Sequence, residues 1–406
     1  MIYRAEPQTL MIFNAVKGIT ATISGNELHI LKNYLENGHK NEFISRLSDL
    51  ELLPTAISED RRQNILKEIE KTESVTSPPC SFAVPESIHI DLTTTCPLAC
   101  VQCYKNTSQD TEMSFEIFSK IIDQAKDMGV FQIAIGGGEP LAVKHLPIFI
   151  RKVTLYGMAC TITTSGYGLT LELIEEMKAS GVNHIQISLN GSTKAINSCS
   201  RDGFDKVVSA LEMLSKNDVL FGINWVARMD NVNDFENMIT LAKILKADNI
   251  NILRYKPSDR EDYGKISLTN DAFLFLVSKI RKVRGLKIKV DSAFSNLLCY
   301  IYGNQLNPMN CGCGAGRRFM MVDAHGRFKP CSHLSLVSEE QDLLRYWQNS
   351  PDLAKLRECE ADIDGECKSC WYLNVCRGCR AICEKIHDNI NAGEKNCPVY
   401  MEKELI

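Results

Sequence analysis

Residues 87–104 read SIHIDLTTTCPLACVQCY, a strand-like run of alternating polar and apolar residues followed by three cysteines at 96, 100 and 103. Three thiols so close in sequence converge on one inorganic centre only if the chain loops around it. A cubane [4Fe–4S] cluster takes four cysteines, one per iron. Three local ligands therefore leave one iron open to a group that is not protein. Structural zinc prefers paired C-x2-C knuckles far apart in sequence, a pattern that a single x3/x2 triplet does not match.

Downstream, strands and helices alternate. The candidate strands are SIHIDL, FQIAIG, ACTITT, HIQISL, LFGINWV and NINILRY, with amphipathic stretches such as FEIFSKIIDQAKDMG and FDKVVSALEMLSK between them. Such alternation predicts parallel strands with crossover helices. Six units predict an α/β fold, a partial (β/α)6 TIM-like barrel whose active residues lie at the C-terminal strand ends. Upstream, LMIFNAV (10–16) and ITATIS (19–24) read as two strands meeting at Gly18. Helical patterns follow at 26–35, 43–53 and 57–72, which makes a small N-terminal α+β unit. The Pro- and Ser-rich stretch 72–87 reads as a linker. We expect boundaries at 1–80, 81–305 and 306–406.

Composition narrows the function. At 406 residues, 44% hydrophobic and 24% charged, the chain has the make-up of an ordinary globular protein. A net charge of −4 offers no basic face for nucleic acid. No run approaches the roughly 20 apolar residues of a membrane span, and the N-terminus lacks the features of a secretory signal, so a cytoplasmic protein is expected. Seventeen cysteines are then the anomaly. In a reducing compartment they more often bind metal or do chemistry than form disulfides.

The C-x3-C-x2-C triplet after the first barrel strand resembles the signature of the radical S-adenosylmethionine (SAM) superfamily. That resemblance implies a [4Fe–4S] cluster on Cys96, Cys100 and Cys103, whose open iron chelates SAM. The reduced cluster would cleave SAM to a 5′-deoxyadenosyl radical that abstracts hydrogen from substrate. IGGGEP (135–140) resembles the family's GGE motif, which implies that Gly137, Gly138 and Glu139 face the SAM amine. ITTSGYG and ISLNGS resemble segments near the SAM ribose, which makes Thr164, Ser165 and Ser188 candidates. Arg201 resembles an arginine that pairs with the SAM carboxylate. Gln102 and Asn190 depart from the family pattern, which favours an aromatic residue or His, and Asp, respectively.

A second cysteine field lies between 311 and 397. Its core, CKSCWYLNVCRGC (367–379), spaces two C-x2-C pairs too closely for a zinc ribbon. It resembles the SPASM domain, a C-terminal extension of peptide-modifying radical SAM enzymes with two auxiliary [4Fe–4S] clusters, three clusters in all. The resemblance implies an inner cluster on Cys313, Cys331 and Cys379, with Cys311 or Cys383 as fourth ligand. It implies an outer cluster on Cys367, Cys370, Cys376 and Cys397. The N-terminal unit resembles a PqqD-like (winged-helix-like) peptide-recognition domain. Together these imply a maturase of a ribosomally made peptide, partnered by a precursor with a leader and by an external low-potential reductant such as flavodoxin or ferredoxin. The expected product is a thioether or carbon–carbon crosslink. Competing readings are a sulfatase-maturase-like formylglycine-forming oxidase and an iron–sulfur electron carrier.

Overall fold

The computed structural model describes residues 1–105, 110–257, 260–306, 312–394 and 397–401. Three antiparallel strands, β1 (Ile2–Glu6), β2 (Thr9–Asn14) and β3 (Ile19–Ser24), open the chain in the order β1-β2-β3. Helices Gly25–Asn37, Glu42–Asp49 and Glu59–Lys71 cover them. The first of these ends at Gly38, whose φ of 76° is the left-handed conformation a glycine adopts freely.

Strand β2 is buried on both faces, and its pleat divides the work. Leu10 and Ile12 point into the unit's own core with Leu31 and Ile65. Met11 and Phe13 point the other way, against Phe131 and Ala159 of the neighbouring barrel. Strand β1 is one more than the sequence predicts, because IYRAE carries two charges that read as solvent-facing. Both are buried at the joint. The Arg4 guanidinium pairs with Glu6 at 2.9 Å, donates to the Pro85 carbonyl at 3.0 Å and lies 4.2 Å from the centre of the Phe131 ring. Glu6 accepts from the Ala83 amide at 2.7 Å. An ion pair so enclosed is tolerated only because each charge finds the other and further hydrogen bonds.

Residues 72–87 differ from the linker expected. Ser81, Ala83, Val84 and Pro85 are buried, and the Trp347 indole donates to the Phe82 carbonyl at 3.0 Å. Proline and serine here mark an irregular segment pressed between layers.

The barrel strands are β4 (Ser87–Thr93), β5 (Gln132–Gly137), β6 (Ala159–Thr164), β7 (His184–Ser188), β8 (Phe221–Ala227) and β9 (Asn249–Arg254), all parallel in chain order. They coincide with the six predicted runs to within a residue or two. Ile88, Ile90 and Leu92 of β4 pack outward into the main core beside Ile133 and Ile135, which leaves His89 and Asp91 on the inner face. Helices between the strands carry capping residues at their ends: Ser114 accepts from the Ile117 amide at 3.2 Å, and Gly129 ends Phe115–Met128 in the left-handed region.

Three further strands extend the sheet. β10 (Lys287–Val290) adds parallel to β9, β11 (Phe319–Val322) adds parallel to β4, and β12 (Phe328–Lys329) pairs antiparallel with β11. The sheet runs β10-β9-β8-β7-β6-β5-β4-β11-β12, and among the described residues its two ends do not pair, so the barrel is open. The cysteine-rich C-terminal segment supplies β11 and β12 to the barrel's own sheet. Among the described residues no helix is long and apolar enough to cross a membrane.

Candidate active site at the barrel mouth

The loop after β4 is held at several points. Thr93 Oγ1 donates to the Thr111 carbonyl and accepts from the Thr95 amide, each at 3.0 Å. Farther along, the Ala99 amide donates to Asp202 at 3.0 Å and the Gln102 amide to the Ser200 carbonyl at 3.3 Å. The cysteine loop thus bridges β4 to the loop following β7, arching over the mouth. Cys96 and Cys100 are half-buried and Cys103 is exposed.

Arg201 belongs to that second loop, and its guanidinium is an electrostatic neighbour of Cys96, Cys100, Cys103 and Tyr104. Burial pulls this group below the usual arginine range, the cysteines working against that. Its Nε is buried without a hydrogen-bond partner, a cost that a bound anion would remove. The loop is held by Asn190, which is fully buried at the end of β7. The Asn190 side chain donates to Ser200 at 2.8 Å and accepts from the Val226 amide at 3.0 Å. Its carbonyl accepts from Trp225 at 3.2 Å and Asn231 at 3.0 Å. An amide both donates and accepts here, which an ionised Asp could not do.

Gly137 and Gly138 serve a close approach to the chain's own backbone. A Cβ on Gly138 would lie 2.1 Å from the Thr95 carbonyl oxygen, and one on Gly137 2.5 Å from that of Thr93. What comes near is the backbone leading into Cys96. The Gly138 amide donates to Thr93 at 2.6 Å and the Glu139 amide to Thr95 at 2.9 Å.

The Glu139 carboxylate is 1% exposed and fully engaged. It accepts from the Leu141 amide at 3.0 Å, the Ser165 amide at 2.9 Å, and the hydroxyls of Thr164 and Ser165. These three predicted residues are brought together, and they tie the end of β5 to that of β6. Ser188 is buried at the end of β7, on the same rim.

Other charged groups around the mouth escaped the sequence reading. Lys105 pairs with Asp91, and Lys256 pairs with Asp291 at 3.0 Å. Tyr104 stacks on His333, ring centres 3.8 Å apart, joining the first cysteine loop to that of Cys331. No spacing rule links residues so far apart in the chain.

In the C-terminal field, Cys313 is an electrostatic neighbour of both Cys331 and Cys379. Cys311 lies outside the described residues. Cys383, buried one helical turn beyond Cys379, is Cys379's neighbour in turn. Cys367, Cys370, Cys376 and Cys397 line one common cavity. Burial pushes the Cys367 thiol up to about 11 and those of Cys379 and Cys397 up to about 12. Helix Ser295–Tyr302 adds a buried cysteine, Cys299, against Cys376. Among the described residues no three His, Cys, Asp or Glu side chains are close enough to hold one metal ion. A cubane takes one thiolate per iron and so accepts a wider spread of thiols than a single ion does.

Residues 90–242 match the model of the radical SAM superfamily. The chain is 26% identical over 320 residues to the AdoMet-dependent heme synthase of Methanosarcina barkeri, covering 73% of this chain and 91% of that one. It is 28% identical over 306 residues to the mycofactocin maturase MftC of Mycolicibacterium smegmatis, covering 71% and 76%. In fold it resembles Streptococcus suis SuiB bound to its precursor peptide SuiA, with a TM-score of 0.75, 18% identity and 98% of each chain covered. The superfamily works with a [4Fe–4S] cluster and SAM. The donor set fits both, with three thiols on one loop beside a buried guanidinium whose Nε lacks an acceptor. Residues 90–242 thus carry a radical SAM domain, and the chain is an enzyme.

Proposed function

We propose that this enzyme is a maturase of a ribosomally made precursor peptide, and that it forms a thioether or carbon–carbon crosslink. The observation that carries this reading is an open strand edge fixed to a radical SAM barrel. β2 covers one edge of β3, and among the described residues no strand covers the other. The outer side of β1 is met by helix Glu59–Lys71, whose Glu68 accepts from the Ala5 amide at 3.0 Å. An extended leader adding to β3 would gain main-chain hydrogen bonds along the strand. We accordingly assign residues 1–80 to leader recognition, 81–305 to the barrel and 306–406 to a SPASM-type extension. MftC is named a maturase and SuiB is described with a precursor peptide, which supports the same reading.

Cys96, Cys100 and Cys103 would hold the cluster, and Arg201 would take the SAM carboxylate. Thr164, Ser165 and Ser188 would line the ribose side, and Gly137, Gly138 and Glu139 would keep the cysteine loop against the rim. When bound, cluster and SAM together supply a 5′-deoxyadenosyl radical for hydrogen abstraction. Closing the crosslink then releases one proton and one electron. We assign the electron to two auxiliary clusters, the inner on Cys313, Cys331 and Cys379 with Cys311 or Cys383, the outer on Cys367, Cys370, Cys376 and Cys397. A flavodoxin- or ferredoxin-like donor would supply the priming electron. Free thiols and such clusters suit the cytoplasm.

The N-terminal unit docks at the opposite end of the barrel from the cysteine loop, since Arg4, Met11 and Phe13 touch Pro85, Phe131 and Ala159 at the starts of β4, β5 and β6. A peptide held on β3 must therefore pass the height of the barrel, about 20 Å or six extended residues. A precursor without its leader is expected to lose modification, read by the mass change of the product. A leader-bearing peptide lacking about six spacer residues should bind and remain unmodified. Equal turnover of leaderless and full-length peptide would refute this reading.

A further inference from the structure

Arg254, the last residue of β9, reaches 140 positions along the chain to Glu394. The contact is a fork: Nη1 to Oε1 at 2.8 Å and Nη2 to Oε2 at 2.7 Å, with side chains only 13% and 8% exposed. Tyr263 Oη accepts a further bond from Arg254 at 3.2 Å. Glu394 in turn touches both groups of C-terminal cysteines. Its Oε1 accepts from the Cys379 amide at 2.6 Å, on the inner side. Its own amide donates to Cys367 Sγ at 3.3 Å, on the outer side. The chain is shaped for these contacts. A Cβ on Gly378 would lie 2.8 Å from Glu394 Oε1, and one on Gly393 2.3 Å from the Asp364 carbonyl oxygen. A second cation, Arg380, is anchored nearby through the carbonyls of Ile390 and Ala392 at 2.8 and 3.1 Å.

We propose that Arg254 and Glu394 form a positioning pair through which the barrel sets the reduction potentials of both C-terminal clusters. The inference rests on the reading of those cysteines as cluster ligands. The physical ground is that cluster potentials follow local charge, hydrogen bonds to sulfur and exposure. A carboxylate between two clusters disfavours adding an electron to either. The guanidinium, anchored on a barrel strand, offsets that charge and holds it at one distance from each. Because Arg254 ends a strand at the barrel mouth, a shift of that strand end would reach both clusters together. Neither residue coordinates iron.

The test uses anaerobically purified full-length holoenzyme in an EPR-monitored redox titration, with iron counted on the same samples. Glu394→Gln removes a negative charge and should raise the midpoints of the auxiliary clusters. Arg254→Met removes a positive charge and should lower them. Each change should be about tenfold in the one-electron reduction equilibrium, about 59 mV, while the cluster of the first cysteine loop keeps its midpoint. A merely structural role would loosen the site in the same way in both variants. Shifts of equal sign, or none, would overturn the proposal. Should either variant lose iron, Arg254→Lys decides, since it keeps the charge and loses the fork. Wild-type midpoints then support an electrostatic role, and displaced ones overturn it. A wild-type count near four irons instead of about twelve would defeat the cluster reading itself, and this proposal with it.

Discussion

Cys96→Ala is expected to abolish reductive cleavage of SAM while leaving the C-terminal clusters in place. The three thiols share one loop, fixed at one end to β4 and at the other to the Ser200–Asp202 turn. Removing one leaves a cluster with two local ligands. The loss should exceed by far the 10–100-fold typical of a partner one step removed from a metal, and 5′-deoxyadenosine should fall to the background of cluster-free protein. Iron should drop from about twelve to about eight per chain. The C-terminal cysteines belong to separate loops and helices, so their iron has no reason to follow. Cleavage retained in this variant would overturn the assignment of the triplet.

Gly138→Ala should have nearly as large an effect with every ligand intact. The new Cβ would stand 2.1 Å from the Thr95 oxygen, 2.6 Å from its carbon and 2.7 Å from the Thr94 oxygen. All three are backbone atoms, so no side-chain rotation relieves the overlap. The Thr94–Thr95 segment must move, and it leads directly into Cys96. Overpacking of this kind costs about 1–3 kcal/mol, visible as a lowered thermal midpoint. The larger consequence is local. We expect a fall of about 100-fold in 5′-deoxyadenosine formation, the scale attached to misplacing a reacting group by about an ångström, with C-terminal iron retained. Near-normal cleavage would show that the glycine serves only the turn.

Much of this fold is written in local pattern. The six barrel strands are short stretches of apolar and β-branched residues, often alternating with polar ones and bounded by turn residues, and the helices between them carry ordinary capping signals, such as Ser114 and Gly129. Strand β1 was hidden because Arg4 and Glu6 neutralise each other out of water, which no periodicity records. Strands β10 and β11 are four residues each. KIKV alternates like a surface strand, and FMMV is a short apolar run between Cys313 and Cys331, where the strand–helix rhythm has ended. Both are strands because a neighbouring edge was available to pair with.

The site divides the same way. Cys96, Cys100 and Cys103 are legible because their ligand geometry is local. Gly137 and Gly138 are legible as a close approach, though the sequence cannot say that the approaching group is the chain's own Thr93–Thr95 backbone. Glu139 reads as a carboxylate offered to an ammonium group. In the fold its oxygens are taken by Leu141, Thr164 and Ser165. Asn190, a departure from the Asp that the family resemblance leads one to expect, is explained by an acceptor on one side and a donor on the other. The Arg254–Glu394 fork lies beyond any spacing argument, since only the tertiary fold brings those residues together.

The most direct test is electron–nuclear double resonance on the reduced first cluster, with SAM labelled by 15N at its amino group. A cubane held by Cys96, Cys100 and Cys103 alone must present one iron to that nitrogen, so a 15N hyperfine coupling is the predicted result. A reduced cluster that shows no coupling with SAM bound would mean that the fourth iron is already ligated by protein, and the account would be wrong at its centre.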